Sequence, residues 1–333
     1  MTNPDRSHIP ETSSLDTPWV PSPTPHPDGT RYPKEGHTSP PPLPGAGEGQ
    51  GERAVAADEA APGIIRANPP DLDPKRIQAR LRSRLIGRSL EVVAEIGSTN
   101  DAVMAAGRAG QYEGFTVLAD RQTAGRGRRG HSWVSPGGVG LYTSILLRPH
   151  HPPARVPLLT LVAGLGVAEA IEEIAGVATR LKWPNDVLVE GRKVAGILAE
   201  MASADERASH VVIGIGINVN HGPQDLPDGL VPAATSLRIA TGKTLLREEL
   251  AAAVYDALDR WYHTFNDGRV ETILAAGRGR SATLGRPVDI LGDEERWQGL
   301  AVDLDADGAL LVRQEGGELR RVIASDVSVR TPR

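Results

Sequence analysis

The sequence has no cysteine, so disulfides, cysteine metal clusters and thiol nucleophiles are excluded at once. Compartment is left open by that absence. Basic charge is not in excess either: 37 Lys+Arg stand against 42 Asp+Glu, for a net charge of -5, and a pI near 6.0 gives no global field to attract polyanions. That argues against a general nucleic-acid coat. No window approaches the ~18 uninterrupted apolar residues that a membrane helix needs. The first ten residues are polar and lack the apolar run of a signal peptide, so a soluble cytoplasmic protein with no membrane partner is expected. No internal repeat is found.

What is present is enough for a sizeable core. Of the 333 residues 39% are hydrophobic, and the length suits about two domains. Sixteen of the 27 prolines precede Lys75, in runs such as Pro40-Pro41-Pro42-Leu43-Pro44, followed by the glycine-rich stretch from Gly45 to Gly51. Proline removes donors, glycine maximises ordering entropy, and little apolar periodicity offsets either, so residues 1–75 read as a disordered Pro/Gly-rich arm. From there on, alternating elements are expected. Helices are read at 77–85, 102–109 (N-capped around Ser98), 158–175 (apolar nearly all round, hence buried) and 245–265. Strands are read at 90–96, 115–119, 141–147, 180–183, 186–189, 193–201 and 211–219. Residues 287–323 instead show four short strands between Gly/Asp turns, the pattern of a small antiparallel barrel. The fold class is thus α+β, with a larger unit at 76–282 and a C-terminal module at 283–333.

Several tempting motifs fail on spacing. Gly242-Lys243-Thr244 lacks the first glycine of a P-loop, since position 237 is Leu237. Gly164-Leu165-Gly166 and Gly214-Ile215-Gly216 each lack the third glycine of a dinucleotide fingerprint. His150 and His151 sit in a Pro-rich loop without ligand spacing. More informative is the segment from Gln122 to Gly130, Gln-Thr-Ala-Gly-Arg-Gly-Arg-Arg-Gly, whose bare amides and guanidinium forks suit carboxylate or phosphate oxygens. An RNA contact and a merely solvated basic loop stay open beside that reading. Lys182-Trp183-Pro184-Asn185-Asp186 places a lysine and an aspartate at a strand end, or else is a structural turn with a core tryptophan. Lys193 opens an apolar strand, as a snorkelling edge residue or a functional one. The glycines at 214 and 216, on a buried strand, suggest close approach of a ligand or another backbone.

In combination and order, Ser98-Thr99-Asn100, the Gly-Arg-Gly-Arg-Arg-Gly loop, Ser132-Trp133 with Ser135-Pro136, Lys182 to Asp186, Lys193 to Glu200 and Gly214 to Asn220 resemble the biotin protein ligases. The resemblance implies a class II synthetase-like mixed sheet, a C-terminal SH3-like barrel, and formation of biotinyl-5′-AMP from biotin and ATP with Mg²⁺. Transfer to a lysine of a biotin carboxyl carrier domain of an acyl-CoA carboxylase would follow. It implies that Ser98, Thr99, Asn100 and Gln122 line biotin, and that Arg126, Gly127, Arg128 and Lys193 hold its carboxyl group and the acyl phosphate. It places Trp133 against adenine, unless that ring simply anchors the loop. Asn185, Asp186 and Asn218 fall to the nucleotide, with Asp186 also a candidate Mg²⁺ ligand and a candidate base for the incoming lysine. Arg126, Arg128, Lys193 and Asp186 make up the expected catalytic set. The Arg/Gly loop, crowded with like charge, is expected to lack order without an anion. Where the family's dual-function members carry a winged helix-turn-helix, this chain is Pro/Gly-rich, so no repression of transcription and no DNA partner are expected. A lipoyl ligase and a non-catalytic binding module are the competing readings, and monomer and homodimer both stay open.

Overall fold

The computed structural model describes residues 69, 71–204, 207–227, 229, 233–292, 295–324 and 328–330. The expected disordered arm lies almost wholly outside these residues. Its last part does not: Leu72 is fully buried, Asp73 accepts the backbone N–H groups of Lys75 and Arg76, and Pro74 opens helix α1 (Pro74–Arg80). Residues 71–75 therefore belong to the folded body, a correction to the arm's boundary. The helix also stops earlier than the apolar spacing indicated. Beyond it, the N–H groups of Arg82 and Ser83 donate to Asp256, and those of Arg84, Leu85 and Ile86 donate to Asp259. Those two carboxylates lie over 170 residues away, so no local pattern announces the break.

The body is a seven-stranded mixed sheet in the order β1-β2-β3-β7-β6-β5-β4. Its strands are β1 (Ser89–Ile96), β2 (Phe115–Gln122), β3 (Gly140–Leu147), β4 (Thr179–Lys182), β5 (Asp186–Val189), β6 (Arg192–Ala204) and β7 (Arg207–Asn218). β1 and β2 run parallel, joined by α2 (Thr99–Arg108), and every other pair is antiparallel. Glu190 and Gly191, both at positive φ, make the tight β5–β6 hairpin turn.

Strand alternation divides the side chains between two faces. On β7, Ile213, Ile215 and Ile217 join the main core with α3 (Val156–Ala175) and α5 (Arg247–Asn266). Val93, Val117, Leu146 and Val212 face the other way, in a smaller cluster with Val103 of α2. α3 is long and apolar enough to cross a membrane by length and composition, yet 67% of its most apolar stretch is buried. It is a core helix, as its all-round apolar surface indicated.

Helices α4 (Leu237–Thr241) and α6 (Val270–Arg280) have no counterpart in the sequence reading. The C-terminal strands form one antiparallel sheet, β8 (Pro287–Leu291), β9 (Arg296–Leu304), β10 (Leu310–Arg313), β11 (Leu319–Val322) and β12 (Ser328–Arg330), in the order β11-β10-β9-β8-β12. The three-residue β12 is a fifth strand where the sequence indicated four.

At the start of α5, Arg247 is 1% exposed. Its guanidinium donates to Asp71 at 2.7 Å, to Asp120 at 2.6 Å and to the Gly140 carbonyl at 3.0 Å, tying the N-terminal segment to β2 and β3. Arg247→Ala leaves two carboxylates facing an emptied site. It should lower the stability measured by urea unfolding by about 3–5 kcal/mol, whereas Asp71→Asn, at a half-exposed position, should cost under about 1 kcal/mol.

Candidate active site

The alternation that buries the isoleucines of β7 turns Gly214 and Gly216 to the opposite face. Their Cα partners on β6 are Leu198 and Gly196, so Gly196 and Gly216 sit side by side and leave a bare patch two strands wide. The Trp133 indole covers it. A Cβ on Gly216 would lie 2.5 Å from that ring, and one on Gly196 would lie 2.9 Å from it. At Gly214 the space is taken by the Asn100 amide oxygen, 2.1 Å from where a Cβ would stand. The close approach inferred from these glycines is thus made by the protein's own side chains. Around this floor opens a cavity of about 750 Å³ lined by Ser98, Thr99, Asn100, Gln122, Arg126, Gly127, Arg128, Trp133, Asn185, Asp186, Lys193 and Asn218. The side chains expected to form the site are all brought to one hollow.

One wall is neutral. Ser98 is the N-cap of α2, and Thr99 and Asn100 form its buried first turn. The backbone N–H and hydroxyl of Thr99 donate to Gln122 Oε1 at 2.9 and 3.1 Å, while Gln122 Nε2 donates to Ser135 Oγ at 3.0 Å. Ser144 Oγ lies 2.7 Å from Thr99 Oγ1 and 2.5 Å from Asn100 Oδ1. Such a wall of paired hydroxyls and amides suits an uncharged polar ligand.

The Arg/Gly loop carries more internal order than its composition indicated. Gly127 N–H donates to the His131 carbonyl at 2.7 Å, and Trp133 N–H donates to that of Gly125 at 2.9 Å. Arg129 takes a left-handed φ of 54° and reaches the Leu291 carbonyl of the C-terminal sheet. Arg126 donates to Asp101 at 2.6 Å and to Glu200 at 2.9 Å. Arg128 donates to Asn185 Oδ1 at 3.3 Å and to the Ala324 carbonyl. Burial pulls the Arg128 guanidinium below the ordinary arginine value, and the Asp186 charge acts against that.

Opposite stands the charged wall. Lys193 Nζ is 2.5 Å from Asp186 Oδ1 and 5.3 Å from the Trp133 ring centroid, and Lys182 Nζ is 3.9 Å from the other Asp186 oxygen. Lys182, which lines the same cavity, was not among the expected site residues. Its position at the end of β4, four residues before Asp186, was the available signal. Asn185 is locked by two bonds of 2.9 Å with the backbone of Ile197, and Asn218 Nδ2 donates to the Thr235 carbonyl at 2.9 Å. Asp186 is thus claimed by ammonium groups. Among the described residues no group of three or more His, Asp or Glu is placed to hold a metal. Asp186 stands here as a counter-ion to two lysines, and one carboxylate suits a Mg²⁺ shared with nucleotide phosphates rather than one caged by the protein alone.

Sequence reasoning also missed His221. It is 1% exposed, lies on the cavity wall, and its Nε2 is 3.2 Å from the Tyr142 hydroxyl. No local pattern marks it, because its partner lies on β3.

Residues 93–218 match the model of the biotin/lipoate A/B protein ligase family, and residues 283–330 match the biotin protein ligase C-terminal domain. The bifunctional ligase/repressor BirA of Bacillus subtilis (strain 168) is 33% identical over 261 residues, covering 78% of this chain and 80% of its own. The biotin--[acetyl-CoA-carboxylase] ligase of Mycobacterium tuberculosis is 34% identical over 267 residues, covering 77% of this chain and 96% of its own. The chain belongs to the biotin protein ligase family. In structure it resembles the Aquifex aeolicus biotin protein ligase solved with biotin and ATP, with a TM-score of 0.63 and 32% identity over 74% of this chain and all of that one. The family match from 93 to 218 spans all of the sequence-predicted site residues and ends three residues before His221.

In this family member burial, the largest influence, holds the His221 ring down to about 4. The unfolded chain takes up that proton near pH 6.5, so the stabilising contribution is complete above 6.5 and is lost as pH falls toward 4, at up to about 1.4 kcal/mol per pH unit. Urea unfolding of His221→Gln should therefore show a shallower fall in stability from pH 6.5 to 4 than the parent protein. Identical slopes would contradict this.

Proposed function

We propose that the chain condenses biotin with ATP to biotinyl-5′-AMP, releasing pyrophosphate, and passes the biotinyl group to a lysine of a carboxylase's biotin carrier domain. The observation that carries this reading is the pairing, in one cavity, of a neutral hydrogen-bonding wall at Ser98–Asn100 and Gln122 with a cationic wall at Arg128, Lys182 and Lys193. A carboxylate must approach the α-phosphate of a polyanion, so cations have to suppress repulsion and stabilise the charge that moves to the leaving pyrophosphate. The carboxylate oxygen bonds to phosphorus as pyrophosphate departs. The acceptor amine then bonds to the acyl carbon as AMP departs and the amine loses a proton. Asp186 holds Lys193 at the site, and ATP enters as its Mg²⁺ complex with the metal borne by the phosphates.

The match of residues 283–330 to a biotin protein ligase domain supports biotin over lipoate. The Pro/Gly composition of the N-terminal residues supports a ligase that neither binds DNA nor represses transcription. Consumption of ATP supports a cytoplasmic location. Incubation with Mg²⁺, ATP, biotin or lipoate and an apo carrier domain, followed by mass measurement, should show biotinylation alone. Lys193→Ala should lower biotinyl-AMP formation roughly 10²- to 10³-fold and slow transfer from supplied biotinyl-AMP far less. Equal losses in both steps would contradict the assignment.

A further inference from the structure

Glu200 has had no role so far, yet it joins two parts of the cavity that are far apart in sequence. It leaves β6 on the same face as Gly196 and Leu198, where its Cα partner is Val212. A single oxygen, Oε2, accepts from Asn100 Nδ2 at 2.7 Å and from Arg126 Nη2 at 2.9 Å. The same Arg126 nitrogen donates to Asp101 Oδ1 at 2.6 Å. Asn100 is 5% exposed, and its other amide atom, Oδ1, lies 2.5 Å from Ser144 Oγ. Turning that amide over would set its oxygen against the Glu200 carboxylate, so the negative charge selects one of two amide orientations. Arg126 and Asp101 are 42% and 64% exposed, and an ion pair that open holds a loop weakly. Glu200, 27% exposed and bonded to a buried amide, is the firmer anchor.

We propose that Glu200 is a positioning residue with two tasks: it fixes the Asn100 amide, and it latches the Arg/Gly loop to the first turn of α2 through Arg126. The first task rests on the proposed function, in which Asn100 lines the biotin ring; the second does not.

Glu200→Gln keeps the shape and an oxygen able to accept from both donors, but removes the charge that strengthens both bonds. In the full-length protein without ligand, trypsin should cut within residues 126–129 roughly three- to tenfold faster in Glu200→Gln, with the thermal midpoint moved by no more than about 2 °C. Cleavage at the parent rate overturns the latch. In biotinyl-AMP formation the same variant should raise KM for biotin roughly tenfold and leave KM for ATP within about twofold. Added to Asn100→Ala, it should raise KM for biotin no further. An unchanged KM for biotin, equal shifts for both substrates, or additive effects overturn the Asn100 task. A parent protein that makes no biotinyl-AMP defeats the proposed function and that task with it, while the cleavage rates still decide the latch.

Discussion

Like charge crowded around one hollow is the constraint on which the site depends. Arg126, Arg128, Arg129, Lys182 and Lys193 line the same cavity, and unscreened cations at such spacing would drive the loop off the sheet. The fold answers with carboxylates placed one by one. Asp186 stands between Lys182 and Lys193, and Asp101 and Glu200 take Arg126. Arg128 is turned toward neutral oxygens at Asn185 and Ala324. An incoming carboxylate or phosphate therefore meets cations already oriented, with little reorganisation left for the moment of reaction.

The C-terminal sheet takes part in that arrangement. The Trp183 indole N–H donates to the Gly308 carbonyl at 3.0 Å, Arg278 of α6 pairs with Asp303 of β9 at 2.6 Å, and carbonyls of Leu291 and Ala324 receive Arg129 and Arg128. The Lys-Trp-Pro-Asn-Asp turn thus faces two ways. Its tryptophan fastens the second sheet, while Asn185 and Asp186 face the cavity.

Much of this was legible because it follows from period. The spacing Gly214-Ile215-Gly216-Ile217 can only put isoleucine in the core and glycine on the floor of a strand, and Gly196 falls into register beside Gly216. The Ser98-Thr99-Asn100 cap and the Glu190-Gly191 turn are equally local. What escaped depends on partners distant in the chain. Helix α1 ends where Asp256 and Asp259 capture residues 82–86, Leu72 is buried although it follows a proline-rich run, and β12 is too short to carry a pattern. Glu200 and His221 gain meaning only from partners on distant elements, Asn100 and Arg126 for the one and Tyr142 for the other. The same holds for the loop: its composition argued for no internal order, whereas backbone pairs from Gly125 to Trp133 and the grip of Asp101 and Glu200 give it a shape.

The central claim is that these cations let a carboxylate attack ATP before any acceptor protein arrives. Its most direct test is exchange of radiolabelled pyrophosphate into ATP by the protein alone, with and without biotin. The account predicts exchange that requires biotin and needs no carrier domain. Exchange that ignores biotin, or none at all until a carrier is added, would contradict it.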